Sequence, residues 1–338
     1  MNRLFTLFSL AVILPGCVSR YSQAASTVSS DDNASVDTSY LRQSEPVTEH
    51  HDVQPAQVNT QPDYFFAVAL YNTVYYGNSL ENLAKLRIES AQLDISPDGK
   101  SIAYSSYSHP GQRVIKIIDI DSQEKRVLDI PQRNVYMGSW NNNGKYIVLN
   151  SQETELSHWH PVLYDVEDGR VYDIDWLDAE SDYYNPVFSP DGRKLVFHDV
   201  SRIYICDFFK GQASLSFVIN TEDLCTVDNA GFSDYCKFQL SSDGNYLVFT
   251  VETDILEEDI CPKITLCCYN IHSGRLRRIT DGHCSVTDFA LDSAGEIYYC
   301  TSDKENQIFE GYMTRVNGTE SVKYATFKEQ TYSIAVAK

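Results

Sequence analysis

The chain has 338 residues, with 47 acidic and 27 basic side chains, a net charge of −20 and 43% apolar residues. That apolar fraction supports a folded core. The acidic excess makes the chain a poor partner for nucleic acid or for an anionic membrane surface; a basic partner or a cation matches it, and so does simple solubility.

The N-terminus reads "MNRLFTLFSLAVILPGC". Arg3 supplies a short positive region, residues 4–14 are mostly apolar, and small residues precede Cys17. This is the pattern of an export signal, too short to span a bilayer. "LPGC" resembles a bacterial lipobox, which makes residues 1–16 a lipoprotein signal peptide and Cys17 the lipidated first residue of the mature chain. Val18 rather than Asp after the cysteine points to the outer membrane, with the protein facing the periplasm. Residues 17–62 are rich in Ser, Thr, Asp and Gln and poor in large apolar groups, so they read as a disordered tether. A coil of about 45 residues reaches roughly 35–40 Å, enough to hold a folded domain clear of a membrane. Residues 63–338 form that domain.

The domain opens with "DYFFAVALYNTVYYGNSLENLAKLRI" (63–88), which holds two or three strands; "NSLENLAKLRI" is ambiguous between helix and strand. Five similar windows follow: "LDISPDGKSIAYS", "GSWNNNGKYIVLN", "PVFSPDGRKLVFH", "FQLSSDGNYLVFT" and "FALDSAGEIYYCT". Their glycines, Gly99, Gly144, Gly192, Gly244 and Gly295, are spaced by 45, 48, 52 and 51 residues. A period of that size marks a solenoid, a propeller or an array. Each Gly sits where a tight turn needs positive φ. Short β-branched and aromatic runs follow each turn, for example "SIAYSS", "VIKIIDID" and "KRVLDI" after Gly99. These are strands, and four per repeat is the unit of a β-propeller blade. The fold class is therefore all-β. "TYSIAVAK" (331–338) resembles a lone first strand, and joining it to the N-terminal strands closes a ring of six blades without a free edge. Five blades with loose flanks is the alternative.

Nine cysteines in an exported chain admit disulfides. Cys225 with Cys236 and Cys261 with Cys284 are the candidate pairs; Cys206, Cys267, Cys268 and Cys300 fall in predicted strands as buried thiols. No Cys-x-x-Cys spacing points to zinc or to thioredoxin-like chemistry.

The strand order divides the loops between two faces. The Gly turns share one face, which also holds His272. The other face carries the longer and more varied loops, where binding on a rigid scaffold concentrates. Its candidate partner-binding residues are Trp159, Trp176, Asp178, Glu180, Asp182, Tyr183, Tyr184, Glu257, Glu258 and Asp259. His109, His158, His160, His198 and His283 also map there, from four blades, and imidazoles suit a transition metal. No Gly-x-Ser-x-Gly elbow is present.

The "SPDGKSIAYS" and "SPDGRKLVFHD" windows, each followed by a third strand of the "IYICDF" kind, resemble the WD40-like repeats of the TolB-like propeller family. The same repeats occur in propellers of prolyl-oligopeptidase relatives and of some pectate-product lyases. The resemblance covers roughly residues 64–338. It implies an envelope propeller that binds a protein or peptide without catalysis or cofactor. TolB itself carries an α/β domain ahead of its propeller, for which the tether leaves no room, so the expectation is a TolB-like protein and not TolB. The alternative is a metal-dependent sugar-lyase-type enzyme, with one divalent metal held by the five histidines.

Overall fold

The computed structural model describes residues 65–70, 73–78, 83–88, 92–109, 112–131, 134–224, 230–253 and 263–338. All lie in the compact unit Thr60–Lys338. The signal segment, Cys17, the tether, Cys225, Cys261, Glu257, Glu258, Asp259 and the His109 side chain lie outside the described residues.

The strands are β1 (Phe66–Leu70), β2 (Thr73–Gly77) and β3 (Ala84–Leu86); β4 (Leu93–Ile95), β5 (Ser101–His109), β6 (Gln112–Asp119) and β7 (Lys125–Val127); and β8 (Asn134–Trp140), β9 (Tyr146–Gln152), β10 (His160–Asp165) and β11 (Arg170–Asp173). They continue with β12 (Tyr184–Phe188), β13 (Lys194–His198), β14 (Arg202–Phe209) and β15 (Gln212–Asn220), then β16 (Phe238–Leu240), β17 (Tyr246–Thr253), β18 (Lys263–Asn270) and β19 (Arg275–Arg278). Last come β20 (Ser285–Leu291), β21 (Glu296–Asp303), β22 (Ile308–Arg315), β23 (Val322–Phe327) and β24 (Thr331–Val336). Five consecutive groups of four, from β4 to β23, form antiparallel blades 1 to 5. The sixth blade has the order β24-β1-β2-β3. The C-terminal strand therefore supplies its innermost position, and six blades, not five, close the ring. The ambiguous N-terminal stretch contributes a strand, β3.

Each blade is buried on both sides because its residues alternate between neighbours. In β13, Val196 packs toward blade 4 while Leu195 and Phe197 pack toward blade 2. Six apolar clusters result, one at each interface between adjacent blades, and the cluster joining blades 5 and 6 includes Phe66, Val68, Ile334 and Val336. Each such buried side chain contributes roughly 1.5–3 kcal/mol.

The repeated turn has a common hydrogen-bond scheme. In blade 3, Ser189 Oγ donates to Asp191 Oδ1 (2.6 Å) and accepts from Lys194 N (3.0 Å), while Arg193 N donates to Asp191 Oδ1 (3.1 Å). Blades 1 and 4 repeat it with Ser96 and Asp98 and with Ser241 and Asp243. The following Gly192 has φ +68° and also packs against Asn141 and Asn142 of blade 2, so a side chain there meets both strain and obstruction. All five repeat glycines have positive φ.

Candidate functional site

Two polar assemblies stand out, one along the ring axis and one on the loop face. The inner strands line the axis and pair on one side only, so their other edges leave backbone groups to be satisfied. Side chains of neighbouring blades do this. Trp140 N donates to Asp94 Oδ2 (2.7 Å), Phe188 N to Ser139 Oγ (2.8 Å), Ile334 N to Asp288 Oδ2 (2.9 Å) and Leu93 N to Ser333 Oγ (3.3 Å).

Two lysines complete the axial set. Lys237 Nζ donates to Asp288 Oδ1 (2.9 Å) and Phe289 O (2.6 Å). Lys338 Nζ donates to Trp140 O (2.8 Å) and stands 3.4 Å from Asp94 Oδ2. Burial raises the Asp94 carboxyl above its ordinary range, against the pull of Lys338. Burial likewise lowers the Lys338 ammonium, against the pull of Asp94. Between these groups lies a cavity of about 20 Å³, which meets the ~10–15 Å³ a single water needs. No sequence argument singled out these residues. The signal was there: one polar residue inside an otherwise apolar inner strand, as in "LDI" or "YSI".

The loop-face assembly spans blades 1 to 3. Arg113, at the start of β6, lies 4.1 Å from the ring centre of Tyr136 and 5.0 Å from that of Tyr107, and donates to the Tyr107 hydroxyl (2.5 Å). Tyr136 meets Trp159 edge-on at 5.0 Å. Trp159 N donates to Asp182 Oδ1 (2.7 Å), and His158 Nδ1 lies 3.3 Å from Asp182 Oδ2. His160 Nε2 donates to Ser181 O (3.0 Å). Trp159 and Asp182 were expected on this surface and are brought together. Arg113, Tyr107 and Tyr136 were missed, because they lie within strands rather than in the loops that drew attention.

Other expected residues have different places. Tyr183 is buried between blades 2 and 3 and is not presented to a partner. Trp176 packs on Phe197 and Tyr204 and donates through Nε1 to Ala213 O (2.9 Å), which ties it to blade 3. Asp178 closes its own turn; the Glu180 N–H and the Ser181 hydroxyl hold its carboxyl below the usual range. Glu180 is exposed. The Tyr184 phenol is half-buried and pushed well up by burial, then by Asp182 and Asp234.

The histidines occupy unlike settings. His198 is fully buried, with its ring 4.9 Å from Phe238 and 5.7 Å from Tyr184. Burial lowers its pKa to about 4. His283 is exposed beside Asp281. Among the described residues, no group of three or more His, Cys, Asp or Glu is placed to hold a metal ion. Cys236 and Cys284 carry free thiols; their candidate partners lie outside the described residues. Burial pushes the Cys206, Cys236 and Cys300 thiols up to about 12, so they are unreactive at neutral pH.

Six blades, a repeated Ser-x-Asp-Gly turn and a ring closed by the C-terminal strand define a repeat-built six-bladed β-propeller. No family model matches the chain. A TolB homologue of Chlorobium luteolum is 25% identical over 150 residues, covering 42% of this chain and 32% of that protein. The chain thus matches about a third of that relative's length. TolB from Acinetobacter baumannii aligns in structure with a TM-score of 0.59 at 15% identity, covering 82% of this chain and 67% of the other. A putative TolB from Agrobacterium tumefaciens aligns at 0.54 and 13% identity, covering 78% and 90%. The domain thus shares the propeller fold of the TolB structures, and part of its sequence resembles a TolB homologue.

Proposed function

We propose that this protein is a non-catalytic binding module of the bacterial envelope, anchored by a lipid on Cys17, that holds a protein or peptide on its loop face. The observation that carries this reading is the assembly of Tyr107, Arg113, Tyr136 and Trp159 beside Asp182. Three aromatic rings and a guanidinium pack together on a rigid scaffold and remain partly open to solvent. Aromatic and Arg anchors with a charged rim are what protein interfaces select. The neighbouring rim carries Glu153, Glu155, Asp178 and Glu180, all exposed, so a basic segment is the matching partner. The resemblance to TolB supports an envelope setting and a protein ligand. Outer-membrane attachment and the division into signal (1–16), tether (17–62) and propeller (63–338) belong to the same proposal.

A photo-crosslinking side chain at Leu156, almost fully exposed beside Trp159, tests it in intact envelopes. One dominant adduct is expected, and it weakens in Trp159→Ala and in Glu180→Lys. Glu180 is the better charge reversal because Asp178 and Asp182 hold the local backbone. Adducts that form equally from a probe at His272 on the Gly-turn face, or that survive both substitutions, would sink the reading.

A further inference from the structure

The outer strand of blade 3 is unlike the other five. It runs nine residues, "QASLSFVIN", with no charge and no proline. The others, "AKL", "KRV", "RVYD", "RLRR" and "VKYATF", have three to six residues, and each carries a Lys or Arg. A fourth strand pairs on one side only, and its free edge is a template for another chain. Short length and charge are the ordinary protections against that, and β15 has neither. A register shift beside Cys206 leaves Ser216 as an extra residue, and the Trp176 indole covers the carbonyl of Ala213. Neither device reaches Phe217 to Asn220.

The strand also exposes apolar groups on both faces. Leu215 (47% exposed) and Val218 (40%) stand opposite Cys206 and Tyr204, which pack toward blade 2. Phe217 (37%) stands opposite Ile205, which packs toward blade 4. Phe209, at the end of β14, is 71% exposed.

We propose that this edge joins two copies of the chain, β15 pairing antiparallel with its twin to merge two four-stranded blades into one eight-stranded sheet. The occupant follows from charge. A twofold axis sets a strand against itself, so a self-pairing strand must carry no like charges at facing positions. "KRV" and "RLRR" fail that condition, and β15 meets it. A twofold perpendicular to the sheet keeps each face on its own side, so the face carrying Leu215 and Val218 adjoins the same face of the twin strand, and the face carrying Phe217 does likewise. A basic peptide drawn by the acidic surface finds nothing to pair with on this uncharged strand. The dimer leaves the loop face free, so it stands or falls separately from the binding role proposed above.

Sedimentation equilibrium of the full chain is the test. A dimer is expected, and it tightens with added salt, because two bodies of charge −20 repel at low ionic strength. A contact between an acidic face and a basic segment has the opposite salt dependence. Leu215→Lys with Val218→Lys should weaken association roughly tenfold or more, since the lysines of both strands then crowd one face of the merged sheet, while Val218→Thr should dimerise as the native chain does. If the double variant does not fold, as judged by circular dichroism, Val218→Lys alone provides the same readout at an exposed position. A native chain that stays monomeric at its solubility limit overturns the proposal. So does a folded lysine variant that associates as tightly as the native chain, or association that weakens with salt.

Discussion

The axis and the loop face use the same kinds of side chain for opposite ends. On the axis, Asp94, Asp288, Lys237 and Lys338 are directed inward, each toward a partner on an adjacent or nearby blade. On the loop face, Arg113 stacks on rings at the surface, and His158 meets Asp182 where both stay partly solvated. Burial makes the difference. Deep charges such as Asp94 and Lys338 become locks, because removing one leaves its partner buried without a counter-charge. Surface charges contribute little to stability and are free to serve recognition. Substitutions at the axis should therefore damage folding, and those at the loop face should damage binding.

The largest effect is expected from breaking the axial pair. Asp94→Asn leaves the Lys338 ammonium buried without its carboxylate and leaves the Trp140 N–H with a weaker acceptor. The expected loss is about 3–5 kcal/mol in urea unfolding. Lys338→Met should cost a similar amount from the other side. The double variant should lose less than the two single losses added together, because the pair acts as a unit. Single losses below about 1 kcal/mol would mean that the axis is wetter than its geometry indicates.

Next in size is a pH effect at His198. Its folded pKa is depressed to about 4, against about 6.5 when unfolded. Below 6.5 the unfolded chain binds the proton more readily, so stability falls as pH drops from 6.5 toward 4. The full swing is about 3 kcal/mol. Burial outweighs the opposing pull of the Cys236 backbone and of Asp199, so replacing His198 with Phe should flatten the dependence across that window. An equally steep profile in the variant across pH 6.5 to 4 would assign the acid sensitivity to groups other than His198.

The ring was legible because its repeat is local. Each Ser-x-Asp-Gly turn closes within six residues through its own side chains, so "SPDGR" states its geometry without help from distant sequence. The sixth blade was legible for a related reason: a strand without a turn at one end of the chain requires turnless strands at the other. The axial site was not, because Asp94 and Lys338 are 244 positions apart and meet only after closure. The histidines misled for the reverse reason. Placing them on a face says nothing about depth, and His198 at the end of β13 is turned into the Phe238 ring rather than toward solvent. Trp176 and Tyr183 were read as anchors from loop position alone, yet both pack against Tyr204.

The smallest effect on stability, and the most informative for function, is expected at Trp159. Its ring touches Tyr136 edge-on and stays partly solvated. Its backbone, not its indole, accepts and donates the bonds that fix the loop, to Tyr183 N and Asp182 Oδ1. Trp159→Ala keeps those bonds and removes one ring contact, so it should lower stability by only about 1 kcal/mol. If the ring is a partner anchor, the same substitution should reduce capture from envelopes at least tenfold, within the range of a hot-spot aromatic. Arg113→Lys makes the matched comparison. It keeps the charge but loses the planar stack between Tyr107 and Tyr136, and it should weaken capture less than loss of the indole. A large stability loss at Trp159 with capture unchanged would turn the contrast around, making the loop face a structural surface and sending the search for the binding site elsewhere on the ring.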